Sequence, residues 1–428
     1  MNSGSKIVSV TAREVYSQRR HFGVEATIVT ENGSVGVAVA TGGTSFGGNE
    51  AKFVYDQDQR YLGKGVKRAV DNVNKIIGPA LKGRDTSKQW EIDQLLLELD
   101  GTPDKSNLGA NATGSVSAAA LKAGAASLGI PLYQHIGGIN ACVLPVPGVL
   151  TVLGAWRHGA GKKSGCKPTY SLMCYGFDSY YEASLAGWRA FSEYLNVLNR
   201  KLNLHYSLEF YDRIIINAGI VKHDRELWEI MAETITNLGY EGKMGIQVDV
   251  AATTYYDAEK QKYVGLFSPE DKTKEELISL YKEMVKKYPF VIFEDPLEET
   301  DFEGFARLTK ELGIEIVGDD LFASNIENVS KGAAMGAANA VLLKVNQKGT
   351  ITEAAEMIQY AYRCGYGVMP CSSRGEGVDI ADYAVGFNTG HLREGGIEET
   401  ANRLLKIEAE LGSRARFLGR EGLRLAKK

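Results

Sequence analysis

Cysteine, a large charge excess and long apolar runs are all scarce or absent in this chain. Its 428 residues include five cysteines, and no two of them form a CxxC pair. This usage argues against a disulfide scaffold and against a structural zinc site. No apolar stretch approaches the roughly 20 residues that cross a membrane, and the start MNSGSKIVSV lacks the apolar core of a signal peptide. We therefore expect a protein with no membrane contact and a cytoplasmic location.

The charge balance is equally ordinary. A formal net charge of −4 gives no general attraction to nucleic acid or to an anionic membrane, so we expect no nucleic acid as partner. Hydrophobic residues make up 44% of the chain and charged residues 24%, which is typical of a globular enzyme. The length exceeds what one small core usually holds and favours two domains.

Two different patterns divide the sequence near residue 139. The first part begins with alternating apolar residues at 6–16, 22–31 and 33–41, which predict a strand meander. Helical periodicity follows at 63–77, 86–99 and 106–128, with Ser106 or Asn107 as a plausible cap. From residue 140 onward, apolar runs alternate with helices predicted at 271–288, 301–312, 325–337 and 350–363. We expect a smaller α+β domain over 1–139 and a β/α barrel over 140–428.

Four ionisable residues stand at the ends of apolar runs in the second part. They are Asp249 in MGIQVDV, Glu294 in FVIFEDP, Asp319 in IEIVGDD and Lys344 in AVLLKVNQ. The last two intervals are both 25 residues, which fits one strand plus one crossover helix repeating in a parallel barrel. Because strand ends meet at one mouth, hard oxygen ligands beside an amine suggest a Mg²⁺ site facing a basic catalyst. Asp320 is the alternative ligand to Asp319.

Several longer stretches carry a family resemblance, and the chain is similar to enolases along nearly its whole length. The shared stretches include RYLGKGVKRAVDNVN (60–74), LDGTPDKSNLGANA (99–112), FEDP (293–296), IVGDDLFASN (316–325) and LLKVNQKGT (342–350). The resemblance implies an α/β fold in which an α+β capping domain precedes an enolase-type β/α barrel with one antiparallel strand. It also implies a homodimer or a higher homo-oligomer.

The resemblance further implies roles for the four strand-end residues. Asp249, Glu294 and Asp319 would be the Mg²⁺ ligands, and Lys344 would be the base that removes a proton next to a carboxylate. Concentrated positive charge is what makes an enolate accessible at neutral pH. The Lys344 amine must then be neutral, and we expect burial and a nearby divalent cation to lower its pKa.

Departures from the family pattern concern the acids that help expel a hydroxyl group. Enolases carry these glutamates in a QEF motif and a GDEGG motif, and this chain has neither. The first aligns with PTY, which puts Thr169 at its glutamate position, and the second falls around INAG, which puts Asn217 there. Neither threonine nor asparagine can act as a proton-shuttling acid near pH 7.

Further replacements surround the same expected pocket. The histidine loop of the family becomes LGAWRHG, so either Arg157 or His158 takes the histidine position, and the substrate-binding lysine aligns with Arg393. We expect Arg393 and His158 to act in catalysis and Arg157 to contact substrate.

Two more segments are expected to contact substrate. The phosphate-binding segment becomes Ser372, Ser373 and Arg374 after Cys371, and the mobile loop that supplies ligands to a second Mg²⁺ becomes TGGTSFGG (41–48). Gly42, Thr44 and Ser45 are the candidates in that loop, whose glycines fit a lid that closes on substrate.

Three functions compete on this evidence. The favoured one is Mg²⁺-dependent enolate chemistry on a small anionic carboxylate that also bears a phosphate or phosphonate. The second half of the reaction, after the enolate has formed, would differ from that of enolase, as in the carboxyphosphonoenolpyruvate synthases of phosphonate biosynthesis. The second is authentic phosphopyruvate hydratase, and the third is a non-catalytic paralogue with a binding role. The missing glutamates oppose the second, and retention of all four strand-end residues opposes the third.

Overall fold

The structure is a computed structural model. It describes residues 4–17, 20–43, 50–154, 157–158, 167–209 and 214–425. Thr44 and Ser45, the loop candidates for metal or substrate contact, lie outside these residues.

The chain begins with a three-stranded antiparallel sheet. Its strands run in the order β1, β2, β3 and span Ile7–Tyr16, Phe22–Thr30 and Val35–Thr41. The predicted meander is thus confirmed to within a residue or two at each end. Alternate residues of β2 are buried, because one face of the sheet packs on a helix of the same domain and the other faces outward.

Helices follow this sheet. They are α1 (Lys67–Asn72), α2 (Gly78–Leu81), α3 (Gln89–Asp100), α4 (Ala110–Leu128) and α5 (Leu132–Gly137), with a π-helical turn at Val73–Ile77 between α1 and α2. α4 is the central helix of this domain and is buried along most of its length against β2 and β3.

The predicted cap of α4 is wrong. The helix begins at Ala110 and is preceded by Gly109, whose φ of 95° is a left-handed conformation that favours glycine. Asn107 instead donates from its side-chain amide to the Asp100 carbonyl oxygen at 2.6 Å. The chain therefore turns into the helix through a glycine rather than through a polar cap.

Eight strands then form the barrel sheet. In spatial order they are β14 (Gly367–Pro370), β13 (Ala340–Leu343), β12 (Glu315–Gly318), β11 (Phe290–Glu294), β8 (Met244–Asp249), β6 (Thr169–Cys174), β5 (Val146–Gly154) and β15 (His391–Leu392). β6 is antiparallel to both of its neighbours, as the resemblance implied, whereas the other pairs are parallel. A parallel bridge between Val368 and Gly390 brings β14 beside β15 and joins the two ends of the sheet.

Helices cover the outside of this sheet. They are α6 (Tyr180–Leu202), α7 (Arg225–Asn237), α8 (Lys274–Lys287), α9 (Phe302–Leu312), α10 (Ile326–Met335), α11 (Val345–Lys348), α12 (Ile351–Arg363), α13 (Ile380–Gly386) and α14 (Glu398–Leu411). The repeat β11, α9, β12, α10, β13 confirms that the 25-residue spacing is one strand and one crossover helix.

Short strands lie outside the barrel wall. They are β4 (Val143–Leu144), β7 (Ile215–Ile216), β9 (Tyr256–Asp257), β10 (Lys262–Tyr263) and β16 (Arg416–Phe417). β9 and β10 form a small hairpin after the Asp249 strand, and β7 pairs with β5.

Across the described ranges, no single helix combines the length and apolar composition needed to cross a bilayer. α4 and the helical segment after it pass that test only as a pair bent by 96°. Because α4 is buried in the core of its domain, core packing explains its apolar composition.

Candidate active site

The four strand-end residues meet at one mouth of the barrel. Asp249 is the last residue of β8 and Glu294 the last residue of β11, while Asp319 and Lys344 directly follow β12 and β13. Glu294 lies opposite Asp249 in the register of β11 and β8, and β11 pairs in turn with β12. Parallel strands that stop at the same level place their next side chains side by side, which is the arrangement the spacing predicted.

Each of the three carboxylates has a basic partner in the structure. The Lys344 ammonium donates to the two Asp319 oxygens at 2.7 and 2.5 Å. One Arg393 nitrogen donates to Glu294 Oε1 at 3.2 Å, and another pairs with Asp249. All of these side chains are buried. A buried carboxylate requires such compensation, because removing an isolated charge from water is costly.

Lys167 is one of the site residues that sequence reasoning missed. Its ammonium forms a second ion pair with Asp249, and its carbonyl oxygen accepts a hydrogen bond from the Tyr255 hydroxyl. Burial, reinforced by the charge of Arg393, lowers the pKa of Lys167 to about 8. The only available signal in the sequence was its place two residues before Thr169, at the start of the antiparallel strand.

The pKa of Lys344 was expected to be lowered by burial together with a divalent cation, and the structure shows the effect of the protein's own charges alone. Burial alone lowers the pKa of this amine, but the attraction of Asp319, aided by Glu50 and Asp320, raises it, and the net pKa lies above the ordinary value. With the protein's own charges alone, Lys344 is therefore an ammonium. A divalent cation on Asp319 would compete with that ammonium for the same oxygens and so favour the neutral amine.

A second group of acids lies beside Asp319. Among the described residues, one oxygen each from Asp295, Asp319 and Asp320 lies within 4.8 Å of the others, and this set is not the predicted trio. The Asp295 carboxylate accepts the backbone N–H groups of Asp319 at 3.0 Å and of Asp320 at 2.8 Å. Asp295 therefore fixes the turn after β12 and orients Asp319.

Asp320 remains the alternative ligand. One of its oxygens, Oδ1, is buried and has no hydrogen-bond partner among the residues that the structure describes. Burial, and next the charge of Asp319, raises the pKa of Asp320 to about 7.

The donor chemistry of this mouth fits Mg²⁺. Asp249, Glu294 and Asp319 offer hard carboxylate oxygens at the ends of consecutive strands of the sheet. Each of these carboxylates already forms an ion pair with a lysine or arginine side chain. Mg²⁺ prefers such ligands, and a divalent charge could take over the compensation that the basic side chains provide. The three residues would hold the ion on the open side of the barrel.

The two positions that replace the family's glutamates behave differently. Thr169 is the buried first residue of β6 and lies opposite Asp249 in the antiparallel register, so it belongs to the mouth. Asn217 lies exposed on the turn after β7, where its carbonyl oxygen accepts the Ile220 N–H. The structure thus brings Thr169 to the site and does not bring Asn217 into the buried cluster.

Arg157 and His158 are directed toward a different acid. The Arg157 guanidinium donates to both Asp224 oxygens at 3.0 and 2.7 Å, and His158 Nε2 lies 2.8 Å from Oδ1 of the same carboxylate. The Tyr170 hydroxyl also donates to Asp224, at 2.6 Å. Burial raises the pKa of Asp224, but Arg157 and the hydrogen bonds outweigh it and hold the pKa well below its usual range.

The substrate role of Arg157 and the catalytic role of His158 stay predictions, because the structure shows both side chains paired within the protein. Both side chains are almost completely buried and serve as partners of a buried carboxylate. Asp224 immediately precedes α7 and was not among the predicted residues. Its signal in the sequence, an acid before a helical pattern, is common at helix starts and did not distinguish it.

Arg374 is also engaged within the protein. One guanidinium nitrogen donates to the two Glu50 oxygens at 2.7 and 3.0 Å, and both side chains are buried. Ser373 is buried beside it, with its hydroxyl 3.5 Å from another Arg374 nitrogen. Ser372 is half-buried. The expected phosphate-binding segment thus faces an acid of the N-terminal domain.

Residues 41–43 pack directly on this arginine. The Thr41 N–H donates to the Arg374 carbonyl oxygen at 2.8 Å, and the Gly42 carbonyl oxygen accepts a hydrogen bond from His21 Nδ1 at 2.8 Å. A Cβ on Gly43 would fall 1.7 Å from an Arg374 nitrogen, so a side chain at this position would force the guanidinium to move. Gly42 contributes main-chain packing here, next to the loop.

Comparison with known proteins places this arrangement in a family. Two family models match the chain: "Enolase, N-terminal domain" over residues 7–136 and "Enolase, C-terminal TIM barrel domain" over residues 141–426. Curated relatives named Enolase include those of Methanocaldococcus jannaschii and Thermococcus kodakarensis, each 42% identical over 98% of this chain and 99% of the relative. The enolase of Methanopyrus kandleri is 42% identical over 96% of this chain and 97% of its own length. With both family domains matched in order along one chain, this protein belongs to the enolase family.

Proposed function

We propose that this protein is a Mg²⁺-dependent carbon–oxygen lyase that removes the proton next to the carboxylate of a small phosphorylated acid. The first candidate reaction is that of phosphopyruvate hydratase, the interconversion of 2-phosphoglycerate and phosphoenolpyruvate. The observation that carries the proposal is the Lys344 amine on Asp319, at strand ends adjacent to Glu294 and Asp249. Near-complete coverage by relatives named Enolase supports the same reaction.

The residues of the barrel mouth would each have a separate role in this reaction. The Lys344 amine takes the proton from C2, and the electron pair of that C–H bond becomes the enolate. Mg²⁺, when bound by Asp249, Glu294 and Asp319, supplies the positive charge that stabilises the enolate and carboxylate oxygens. Arg393, which reaches both Asp249 and Glu294, is placed to hold a substrate carboxylate or phosphate once those acids hold metal.

The second half of the reaction, in which the hydroxyl group leaves C3, favours a second candidate function. When the C–O bond at C3 breaks, the hydroxyl group must gain a proton to depart as water. Thr169 stands in the mouth where the family has an acid, Asn217 is exposed, and Lys167 adds a cation. Proton abstraction with altered second-half chemistry, as in carboxyphosphonoenolpyruvate synthesis, agrees with these replacements.

Two measurements on purified protein with Mg²⁺ and 2-phosphoglycerate test the proposal. Phosphoenolpyruvate formation is followed by its ultraviolet absorbance, and loss of the C2 proton is followed by NMR in D₂O. Lys344→Ala should slow exchange by about 10²–10⁴-fold, the usual contribution of a positioned base. Lys348→Ala, four residues further on at the end of α11, is the matched control and should leave exchange unchanged.

The outcomes separate the candidates. Turnover at an ordinary enolase rate supports phosphopyruvate hydratase, whereas Lys344-dependent exchange without dehydration supports altered chemistry. Absence of exchange with 2-phosphoglycerate and with related phosphorylated carboxylates would overturn the proposal and favour a non-catalytic paralogue.

We also propose that the protein forms a homodimer or higher homo-oligomer. On α6, Tyr181, Leu185 and Trp188 are exposed at intervals of four and three residues, so they share one helix face. Burying such an apolar face is a common use of subunit association. Light scattering should give a mass above that of one chain, and Trp188→Glu should reduce it. The cytoplasmic location stays a prediction.

A further inference from the structure

The barrel mouth holds one more cation than the family pattern supplies. Lys344 and Arg393 occupy positions at which the family has basic residues, but Lys167 adds a third basic side chain next to Asp249. Arg157 and Arg374 were also expected to contact substrate. In the structure Arg157 is paired with Asp224 and Arg374 with Glu50. Lys167 is therefore the side chain whose role the family pattern leaves unexplained.

The position of Lys167 gives it access to a bound ligand. Its side chain is 19% exposed, compared with 2% for Asp249 and 3% for Lys344, so it lies closest to solvent within this ion-pair cluster. Its main chain is fixed, since its carbonyl oxygen accepts the Tyr255 hydroxyl and lies against Gly154. A cation on a fixed backbone at the rim of a buried site is placed to select ligands by charge.

Charge compensation in the mouth indicates what Lys167 would select. Three carboxylates, Asp249, Glu294 and Asp319, are balanced by Lys167, Lys344 and Arg393. If Asp249 becomes a metal ligand, the attraction between the Lys167 ammonium and that carboxylate is weakened. A largely buried ammonium then needs another anionic partner, because an uncompensated charge there is costly.

The neighbouring Thr169 shows which part of the substrate would face this cation. Thr169 lies opposite Asp249 at the start of β6 and aligns with the family acid that serves the hydroxyl-bearing carbon. A cation two residues away suits a carboxylate in place of the hydroxymethyl group better than it suits the neutral hydroxymethyl group itself.

We propose that Lys167 is a specificity-determining residue that binds a second anionic group of the substrate, a carboxylate in the simplest case. This group is attached where 2-phosphoglycerate carries its hydroxymethyl carbon. The inference rests on the second candidate function, in which the C2 proton is removed and the second half of the reaction differs, because a carboxylate at this place leaves no hydroxyl group to expel.

Calorimetric binding in the presence of Mg²⁺ tests this without turnover. The probes are 2-phosphoglycolate and 2-phosphotartronate, which differ by one carboxylate at the position in question. The unmodified protein should bind 2-phosphotartronate about 10-fold more tightly, the scale of one charge-assisted hydrogen bond. Lys167→Met should bring the ratio of the two dissociation constants to about one while leaving the value for 2-phosphoglycolate within about threefold.

Two controls make the result specific. Lys167→Arg keeps the charge and should keep the preference, and Lys348→Met removes a lysine outside the cluster and should change neither constant. If Lys167→Met does not fold by circular dichroism, Lys167→Gln provides the same comparison. An unmodified protein without preference, or a neutral variant that retains it, would overturn the inference. Failure of the proposed function would appear differently, as loss of C2 exchange with the binding preference intact.

Discussion

Replacing Asp224 by asparagine should destabilise the protein strongly. The substitution keeps the size of the side chain but removes the charge that compensates Arg157, which is 1% exposed and bonded to both carboxylate oxygens. An amide has one acceptor oxygen in place of two, so the Arg157 fork, His158 and the Tyr170 hydroxyl cannot all keep their bonds. A buried guanidinium without its partner costs about 3–5 kcal/mol.

That loss is a large share of a total stability of about 5–15 kcal/mol, so it should be plain in a urea titration. Tryptophan fluorescence is a suitable signal, because the Trp228 indole donates to the Tyr170 hydroxyl at 2.9 Å and senses this network directly. The matched control is Asp71→Asn, which breaks an ion pair between Asp71 and Lys75 whose side chains are 43% and 72% exposed. That change should cost no more than about 1 kcal/mol.

A double substitution identifies the cause. In Asp224→Asn with Arg157→Met, the uncompensated guanidinium is gone, so the double variant should be more stable than Asp224→Asn alone. If Asp224→Asn unfolds within about 1 kcal/mol of the unmodified protein, the reasoning about a buried charge network is refuted. Full stability together with a raised KM would instead support the predicted role of Arg157 in binding substrate.

Three further predictions concern stability. Glu50→Gln removes the buried carboxylate that the Arg374 guanidinium binds and should lower the free energy of unfolding by about 3–5 kcal/mol, measured in urea. The pKa of Asp224 is lowered in the folded protein from an ordinary value of 3.8, so its contribution is complete above that value and is lost as the pH falls below it. Urea titrations from neutral to acid pH should show a steeper loss in the unmodified protein than in Asp224→Asn. Thr273→Ala removes the capping box that Thr273 forms with Glu276 at the start of α8 and should cost about 1 kcal/mol, whereas a change near zero would contradict that cap.

Local patterns in the sequence were sufficient for the first three strands, for the helices α8, α9, α10 and α12, and for the carboxylates of the mouth. Asp249, Glu294 and Asp319 each close an apolar run, and a barrel strand fixes where the next side chain must lie. The predicted cap of α4 was wrong because the chain enters the helix through Gly109 in a left-handed conformation. A single glycine is a weaker sequence signal for a helix start than a polar capping residue. Family resemblance added the expectation of one antiparallel strand, which no periodicity in the chain specifies and which the structure identifies as β6.

The partners of the basic residues could not be predicted in the same way. Arg157 pairs with an acid 67 residues away, and Arg374 pairs with Glu50 across 324 residues, from one domain to the other. A single sequence shows that arginines are present but not which acid each one meets, because the meeting depends on how strands, helices and domains pack.

The sequence by itself determined the barrel rhythm, the strand-end acids and the lysine that follows β13, because each of these is a local consequence of apolar periodicity and strand length. Only the tertiary structure decided that Arg157 and Arg374 are held by buried acids and that Lys167 enters the mouth beside Asp249. The physical reason is that a buried charge takes the nearest opposite charge, and nearness between distant parts of a chain is set by packing.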